Sequence, residues 1–224
     1  MMNNTKITVK VWEQQLAAFD MAIDQLFIKR DAFLNHMIKV ETSHLAMDLK
    51  GHRLSSSGNR YIAGELKRLG TKPVNIVVEK ATAAALNQVV SATNIVRDAF
   101  VNRLIMLLRA PDVLLKFWEL PLKVGAGDAV DSPPTSPLNA IRDVYRDPLY
   151  YLRDAAETRH DVGLYTAWLP PKFVGLECFI EDDRVPGTVQ YEKKEKELGE
   201  LMEALASVEA AAFQSPSLQA WGKK

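Results

Sequence analysis

The feature that most constrains the fold of this chain is an internal repeat, displaced by 67 positions. The block Arg30–Asn35 (RDAFLN) recurs without a gap as Arg97–Asn102 (RDAFVN). The same displacement keeps the upstream apolar positions in phase: Ile7, Val9, Val11, Phe19, Ile23 and Ile28 correspond to Val74, Ile76, Val78, Leu86, Val90 and Ile95. A gap-free match over about thirty residues indicates a duplicated structural unit.

Each copy has the same predicted order of elements, a strand followed by two helices. Apolar and polar residues alternate from Lys6 to Val11, which is typical of a half-buried strand. An amphipathic helix follows, and then a second helix, at about 29–40 in the first copy and about 96–108 in the second, that is apolar on nearly all sides. Because about 35 residues cannot bury such a helix alone, the sequence predicts that the two copies pair with each other.

This order of elements, with its need for pairing, resembles the ribbon-helix-helix family, the MetJ/Arc/CopG class of repressors. The resemblance covers residues 6–41 and 73–108. It implies that the two strands form an antiparallel ribbon above four helices, as a tandem pseudo-dimer within one polypeptide. The expected fold class is mainly α with a short two-stranded antiparallel β-ribbon, plus a mostly helical α+β C-terminal region.

The resemblance also implies that the ribbon enters the major groove of double-stranded DNA, which admits a two-stranded ribbon. The expected base contacts are the residues that point away from the core: Lys6, Thr8, Lys10, Asn75 and Val77. Lysine can donate to guanine, asparagine can pair with adenine, and threonine suits several bases, whereas valine offers only an apolar contact. Because the two strands differ, we expect an asymmetric half-site.

In the family, the N-terminus of the second helix also holds a phosphate through backbone N–H groups. The matching stretches here give four expected phosphate contacts: Lys29, Arg30, Asn94 and Arg97. The chain departs from the family pattern in the preceding turn, where Phe27 and Asn94 stand in place of the usual glycine. Lys29 and Val96 replace the usual Ser or Thr cap. Asn94 tolerates a left-handed conformation, whereas Phe27 adopts one only at a cost.

Charge is divided unequally along the chain. Residues 1–110 hold 15 Lys and Arg against 9 Asp and Glu, and residues 111–224 hold 13 against 19. The first half can attract phosphate, while the acidic half cannot share the same surface.

Between the copies, the connector 42–72 contains a predicted helix over 60–69 that ends at Gly70.

Three regions are expected: a DNA-binding domain over 1–120, a linker over 121–137 rich in Gly, Pro and Ser, and an acidic domain over 138–224. The acidic domain would serve oligomerisation or bind a protein partner. Its pattern predicts a helix over about 138–159, a strand-like segment over 173–180 and a helix over about 189–213. The last of these carries apolar residues along one face.

No arrangement of residues predicts catalysis, so we expect a protein that is not an enzyme. His160, Asp161, Cys178 and the acidic run 181–183 supply no pair of base and nucleophile. The spacing of His36, His44 and His52 does not suit a metal site, and no cofactor is expected. The single cysteine, the absence of a long apolar run and the polar N-terminus favour a cytoplasmic, nucleoid-associated protein that does not bind a membrane.

The expected function is sequence-specific regulation of transcription by a homo-oligomeric DNA-binding repressor. Three alternatives stay open at this point. The chain would be an antitoxin whose C-terminal half binds a partner, a plasmid-transfer accessory protein that bends DNA for a relaxase, or an effector or enzyme that uses the repeats only for assembly.

Overall fold

The computed structural model describes residues 3–120 and 145–214, the last five of them by backbone alone. The predicted linker 121–137 and the first residues of the predicted acidic domain, up to 144, lie outside the described residues. Within the described part the chain is mainly helical with one two-stranded antiparallel sheet, as predicted.

The elements follow the repeat. The first copy contains β1 (Asn4–Trp12), α1 (Glu13–Gln25) and α2 (Arg30–Asp48). The connector contains α3 (Ser56–Arg68), and the second copy contains β2 (Thr71–Glu79), α4 (Lys80–Thr93) and α5 (Arg97–Arg109). After these come α6 (Asp112–Phe117), α7 (Tyr150–His160), two 3-10 helices (Pro171–Leu176 and Asp182–Arg184) and α8 (Val189–Gln214).

Strands β1 and β2 pair in a register that has two-fold symmetry. Thr8 lies opposite Asn75, the residue that holds the position of Thr8 in the second copy. Exchanging the copies therefore leaves every pair of positions in place. Ile7, Val9 and Ile76 are buried on the core side of the sheet. A slip of one residue would turn this apolar set towards solvent, so the alternating pattern fixes the register.

The helices of the two copies interlock beneath the sheet. Helix α2 of the first copy packs against β2 and α4 of the second, and α5 packs against β1 and α1 of the first. The buried side chains they share include Phe19, Leu34, Met37, Leu86, Phe100 and Leu104. Each copy therefore buries the second helix of the other, and the prediction that the copies pair is confirmed.

Several predicted elements differ from those found, three of them in ways that bear on the packing. Each strand has nine residues and is longer than the alternating stretch Lys6–Val11, because the pairing continues through Pro73 to Thr71. Helix α2 runs on to Asp48, since Glu41 and other residues beyond the apolar stretch are also buried. The prediction of a strand-like segment over 173–180 is wrong. Its first residues belong to the 3-10 helix Pro171–Leu176, which packs against α3, and the rest follow that helix without forming a strand.

Residues 145–180 pack on the core of the repeats. The chain divides into two compact units, Met1–Ile180 and Glu181–Lys224, so the boundary lies well beyond the predicted linker. Arg103 on α5 provides the reason. Its guanidinium is fully buried and bonds Glu177 at 3.0 Å and the carbonyl oxygen of Leu164 at 2.6 Å. Separating Arg103 from Glu177 would leave an uncompensated buried charge, which is costly. The intact pair therefore holds this segment in place.

A second buried carboxylate ties the same segment to α2. Glu41 is fully buried and accepts hydrogen bonds from Arg153 at 3.0 Å and 3.2 Å and from the Tyr165 hydroxyl at 2.8 Å. Burial, together with the neighbouring Glu41, raises the pKa of Tyr165 well above its ordinary value. The phenol therefore stays protonated and remains a donor to the carboxylate.

The second compact unit contains α8, whose bounds agree with the predicted helix. The Thr188 hydroxyl accepts a hydrogen bond of 3.2 Å from the backbone N–H of Tyr191 and so caps the helix. Lys194 pairs with Asp183 at 2.7 Å and fixes the first turns to the preceding 3-10 helix. Across the described residues, no helix is both long and apolar enough to span a bilayer.

Candidate nucleic-acid interface

One face of the β1–β2 sheet carries all five residues that were predicted to contact bases. Lys6, Thr8, Lys10 and Asn75 are exposed, and Val77 is half-buried. Alternate residues of a strand share one side of a sheet, and in this register Lys6 lies opposite Val77 and Thr8 opposite Asn75. We call these five residues the ribbon face.

A hydrogen bond joins the two strands at the centre of the ribbon face. The Thr8 hydroxyl lies 2.8 Å from Oδ1 of Asn75 and donates to it. Within the described residues, Nδ2 of Asn75 donates to no protein acceptor. The amide is thus held by its oxygen and presents two N–H donors that an external acceptor can use.

The two lysines of the ribbon face carry unneutralised charge. Neither Lys6 nor Lys10 has a carboxylate partner among residues 3–120 and 145–214. By contrast, Lys72 at the start of β2 pairs with Glu13 at 3.0 Å. An exposed face with two unpaired cations attracts a polyanion, and this attraction weakens with salt.

The outer edges of the sheet are closed by the asparagine that ends the repeated block. Asn102 accepts from the backbone N–H of Trp12 at 2.8 Å and donates to the carbonyl oxygen of Lys10 at 2.8 Å. Asn35 accepts from the N–H of Glu79, also at 2.8 Å. Because Trp12 and Glu79 are equivalent in the repeat, each asparagine accepts from the equivalent backbone N–H at its own edge. They leave the exposed sheet edges less open to a further strand.

Sequence reasoning missed these asparagines. It used the repeated block as evidence of duplication and gave these two residues no role. The available signal was that both copies keep an asparagine at the same position of a helix that is apolar on nearly all sides. Asn102 is completely buried, and a buried amide needs partners.

The first turns of α2 and α5 also lie at the sheet edges. Asp31 accepts from the backbone N–H of Val77 at 3.2 Å, and Arg97 donates to the carbonyl oxygen of Thr8 at 2.7 Å. Both helix N-termini therefore flank the ribbon. The start of α5 borders a shallow cleft of about 360 Å³, lined by Asn87, Val90, Ser91, Val96, Arg97 and Asp98. The N–H groups of a helix's first turn favour anions in such a position.

Of the four predicted phosphate contacts, Lys29 is the one whose side chain is uncommitted in the described residues. It is exposed at the cap of α2 and has no ion-pair partner there. Arg30 pairs with Asp31 at 3.1 Å and with Asp20 at 3.6 Å. Arg97 is held by the strand, as described above. Contacts of these residues with phosphate stay predictions.

Asn94, the fourth of these residues, has a local role that the sequence had only partly suggested. Its φ is 57°, and that of the equivalent Phe27 is 55°, so both turns adopt the left-handed conformation. The Asn94 amide donates to the carbonyl oxygen of Leu54 at 2.8 Å, and its own carbonyl oxygen accepts from Asn59 at 2.7 Å. These bonds direct the side chain towards the connector.

Comparison with protein-family models, with curated proteins and with solved structures found no match. The geometry of the ribbon face is therefore the main support for a function. It combines two cations, an amide and a hydroxyl on a two-stranded ribbon whose edges are partly capped by Asn35 and Asn102. Such a set of donors suits the base edges and phosphates of a nucleic acid.

Proposed function

We propose that the chain is a sequence-specific DNA-binding regulator of transcription, a repressor, that inserts the ribbon face into the major groove. In this proposal the two repeats form a tandem ribbon-helix-helix unit. The observation that carries it is the symmetric pairing of β1 and β2 about Thr8 and Asn75, with Lys6 and Lys10 uncovered on the outer side.

The dimensions of the ribbon support this proposal. Two strands lie about 4.8 Å apart, and the major groove is about 12 Å wide, so the pair enters with its side chains. Lys6 and Lys10 are separated by four residues of extended strand, or about 13 Å. At 3.4 Å per base pair, roughly four base pairs separate the bases that these two lysines reach.

The chemistry of the ribbon face supports an asymmetric half-site. Exchanging the copies places Lys10 on Val77 and Lys6 on Pro73, so the cations lie on one strand only. Lysine favours the O6 and N7 acceptors of guanine, whereas valine contacts the methyl group of thymine. Asn75, at the centre, pairs with adenine through its amide.

The helix N-termini at the sheet edges supply the phosphate contacts. In the proposal, the first-turn N–H groups of α2 and α5 each face one strand of the duplex, and Lys29 adds a cation beside α2. Arg97 acts as a brace for β1 and keeps the start of α5 beside the ribbon. Phosphate contacts then position the ribbon, and base contacts select the sequence.

The test measures binding of the full chain to a DNA duplex by fluorescence anisotropy, over a series of salt concentrations. The ribbon variant is Lys6→Ala/Lys10→Ala, and the matched control is Lys50→Ala/Lys116→Ala, which removes two exposed lysines outside the ribbon. Both are measured on the region upstream of the gene and on a duplex of random sequence.

We expect the ribbon variant to weaken binding about 10- to 100-fold and to lower the slope of log affinity against log salt by about 2 if both lysines contact phosphate, and by less if they contact bases. The control should lose less than about 3-fold, the share of long-range attraction alone. Equal losses in the two variants would contradict the proposal, and so would equal affinity of the natural chain for both duplexes.

A further inference from the structure

Helix α8 carries an apolar stripe that is exposed to solvent. Its members are between 46% and 66% exposed: Leu198, Leu201, Met202, Leu205 and Val208. The remaining surface is charged, with ion pairs along the helix between Lys193 and Glu197 at 3.7 Å and between Lys196 and Glu200 at 3.8 Å. A contiguous exposed stripe of this size marks an interaction surface.

The spacing of the stripe is that of a coiled-coil seam. Leu198, Leu201, Leu205 and Val208 follow one another at intervals of three, four and three residues, which are successive a and d positions of a heptad. Met202 lies beside the seam at an e position. The preceding d position is Lys194, which is paired with Asp183, so the apolar seam begins at Leu198.

We propose that α8 pairs through this seam with α8 of a second copy of the chain, parallel and in register. The pairing places Leu198, Leu201 and Leu205 against the same residues of the second copy. It forms a closed dimer with two-fold symmetry, the commonest form of oligomer. The proposal goes beyond DNA binding and does not depend on it.

The charges beside the seam favour the parallel orientation. In a parallel pair, a g position faces the e position of the next heptad on the other helix. Glu197 then faces Met202 of the second copy, and Ala204 faces Glu209, so no two carboxylates meet. In an antiparallel pair centred on the same seam, Glu195 lies near Glu209 of the second copy, and like charges repel.

A cysteine placed in the seam tests both the partner and the orientation. The chain has one cysteine, Cys178, which is completely buried, and burial raises the pKa of its thiol to about 12. It is therefore a poor competitor for oxidation. The test variant is Leu201→Cys, and the control is Lys196→Cys, an exposed residue on the far side of the same helix.

Under mild oxidation we expect the full-length Leu201→Cys chain to form a covalent dimer and Lys196→Cys to stay at the mass of one chain. Sedimentation of the unaltered chain should give twice the mass of the chain, and Leu198→Glu/Leu205→Glu should shift it to one chain. Since these side chains are exposed, the thermal unfolding of the Met1–Ile180 unit serves as a check that the variant is folded.

Three results would overturn the proposal. They are a single-chain mass for the unaltered protein at every concentration measured, the absence of a Leu201→Cys dimer, and equal cross-linking of both cysteine variants. Weak DNA binding by a protein that still dimerises would contradict the proposed function alone.

Discussion

The Thr8 hydroxyl donates a hydrogen bond of 2.8 Å to Oδ1 of Asn75, and these residues hold the same position in the two copies of the repeat. The local two-fold axis therefore passes between two unlike side chains. The backbones of the two strands are symmetric about this axis, whereas the side chains that they expose are not. The consequence is that each side of the axis presents a different set of donors.

Replacing Thr8 by Val tests the role of this bond. The variant keeps the shape of the side chain but frees Oδ1 of Asn75. Because the pair is exposed, the free energy of unfolding in urea should change by less than about 1 kcal/mol. Affinity for the preferred duplex should fall by more than affinity for a random duplex, because the amide is no longer held. Equal changes on the two duplexes would count against an oriented Asn75.

The edge asparagines give a matched pair of stability predictions. Asn102→Ala empties a buried position and removes the bonds to the N–H of Trp12 and to the carbonyl oxygens of Lys10 and Asp98, so we expect a loss of about 2–4 kcal/mol. Asn35→Ala removes one bond to Glu79 at a half-buried site and should cost about 1–2 kcal/mol. Denaturant unfolding measures both, and the reverse order would show that the edges are not held in this way.

The sequence predicted the ribbon because its information is local and repeated. Ile7, Val9 and Val11 alternate with polar residues, and this pattern fixes both the strand and its buried side. Alternation assigns the five residues of the ribbon face to one side of their own strands. The resemblance to the ribbon-helix-helix family implied that the two strands pair and so bring these residues together. The length of α2 escaped prediction because Glu41 and Thr42 look like the start of a polar connector but are buried.

The rest depended on contacts between residues far apart in sequence. Nothing near Arg103 shows that it pairs with Glu177, 74 positions away, inside the protein. Because of this contact, the first compact unit extends to Ile180 and does not end at the predicted linker. Apolar and β-branched residues over 173–180 suggested a strand, but Gly175 lies against the backbone of α3, where an added Cβ would lie 2.5 Å from the Leu66 nitrogen. This close approach to α3 could not be predicted from the local sequence.

The two left-handed turns should respond in opposite directions to glycine. Phe27 is 97% exposed, so Phe27→Gly relieves a strained conformation without loss of burial, and the free energy of unfolding should rise by about 0.5–1 kcal/mol. Asn94→Gly removes the bond to Leu54 and should lower it by about 1 kcal/mol. Thermal or urea unfolding of both variants checks the pair, and changes of the same sign would refute this account of the turns.

Asp48 should make stability depend on pH. Burial raises the pKa of this carboxyl above its ordinary value of 3.8, although the N–H of Tyr165 donates to it at 2.8 Å. The folded state thus holds the proton more tightly than the unfolded state. This contribution to stability is complete below the ordinary pKa and is lost as pH rises through the raised pKa.

Asp48→Asn keeps an acceptor for Tyr165 and removes the charge. Its free energy of unfolding should therefore exceed that of the unaltered chain at neutral pH, with the difference shrinking towards pH 3.8. Unfolding curves at several pH values measure this difference. The opposite result would be a variant that is less stable than the unaltered chain at neutral pH, with the deficit shrinking in acid. It would mean that the fold favours the ionised carboxylate.

The most direct test of DNA recognition by the ribbon face is selection of duplexes from a random pool by the unaltered chain and by Asn75→Ala. The proposed function predicts one enriched asymmetric motif for the unaltered chain. The variant should lose the preference at the central adenine, a discrimination of about 1–3 kcal/mol, and keep the flanking positions. No enriched motif, or the same motif with the same central preference for both proteins, would contradict recognition by this face.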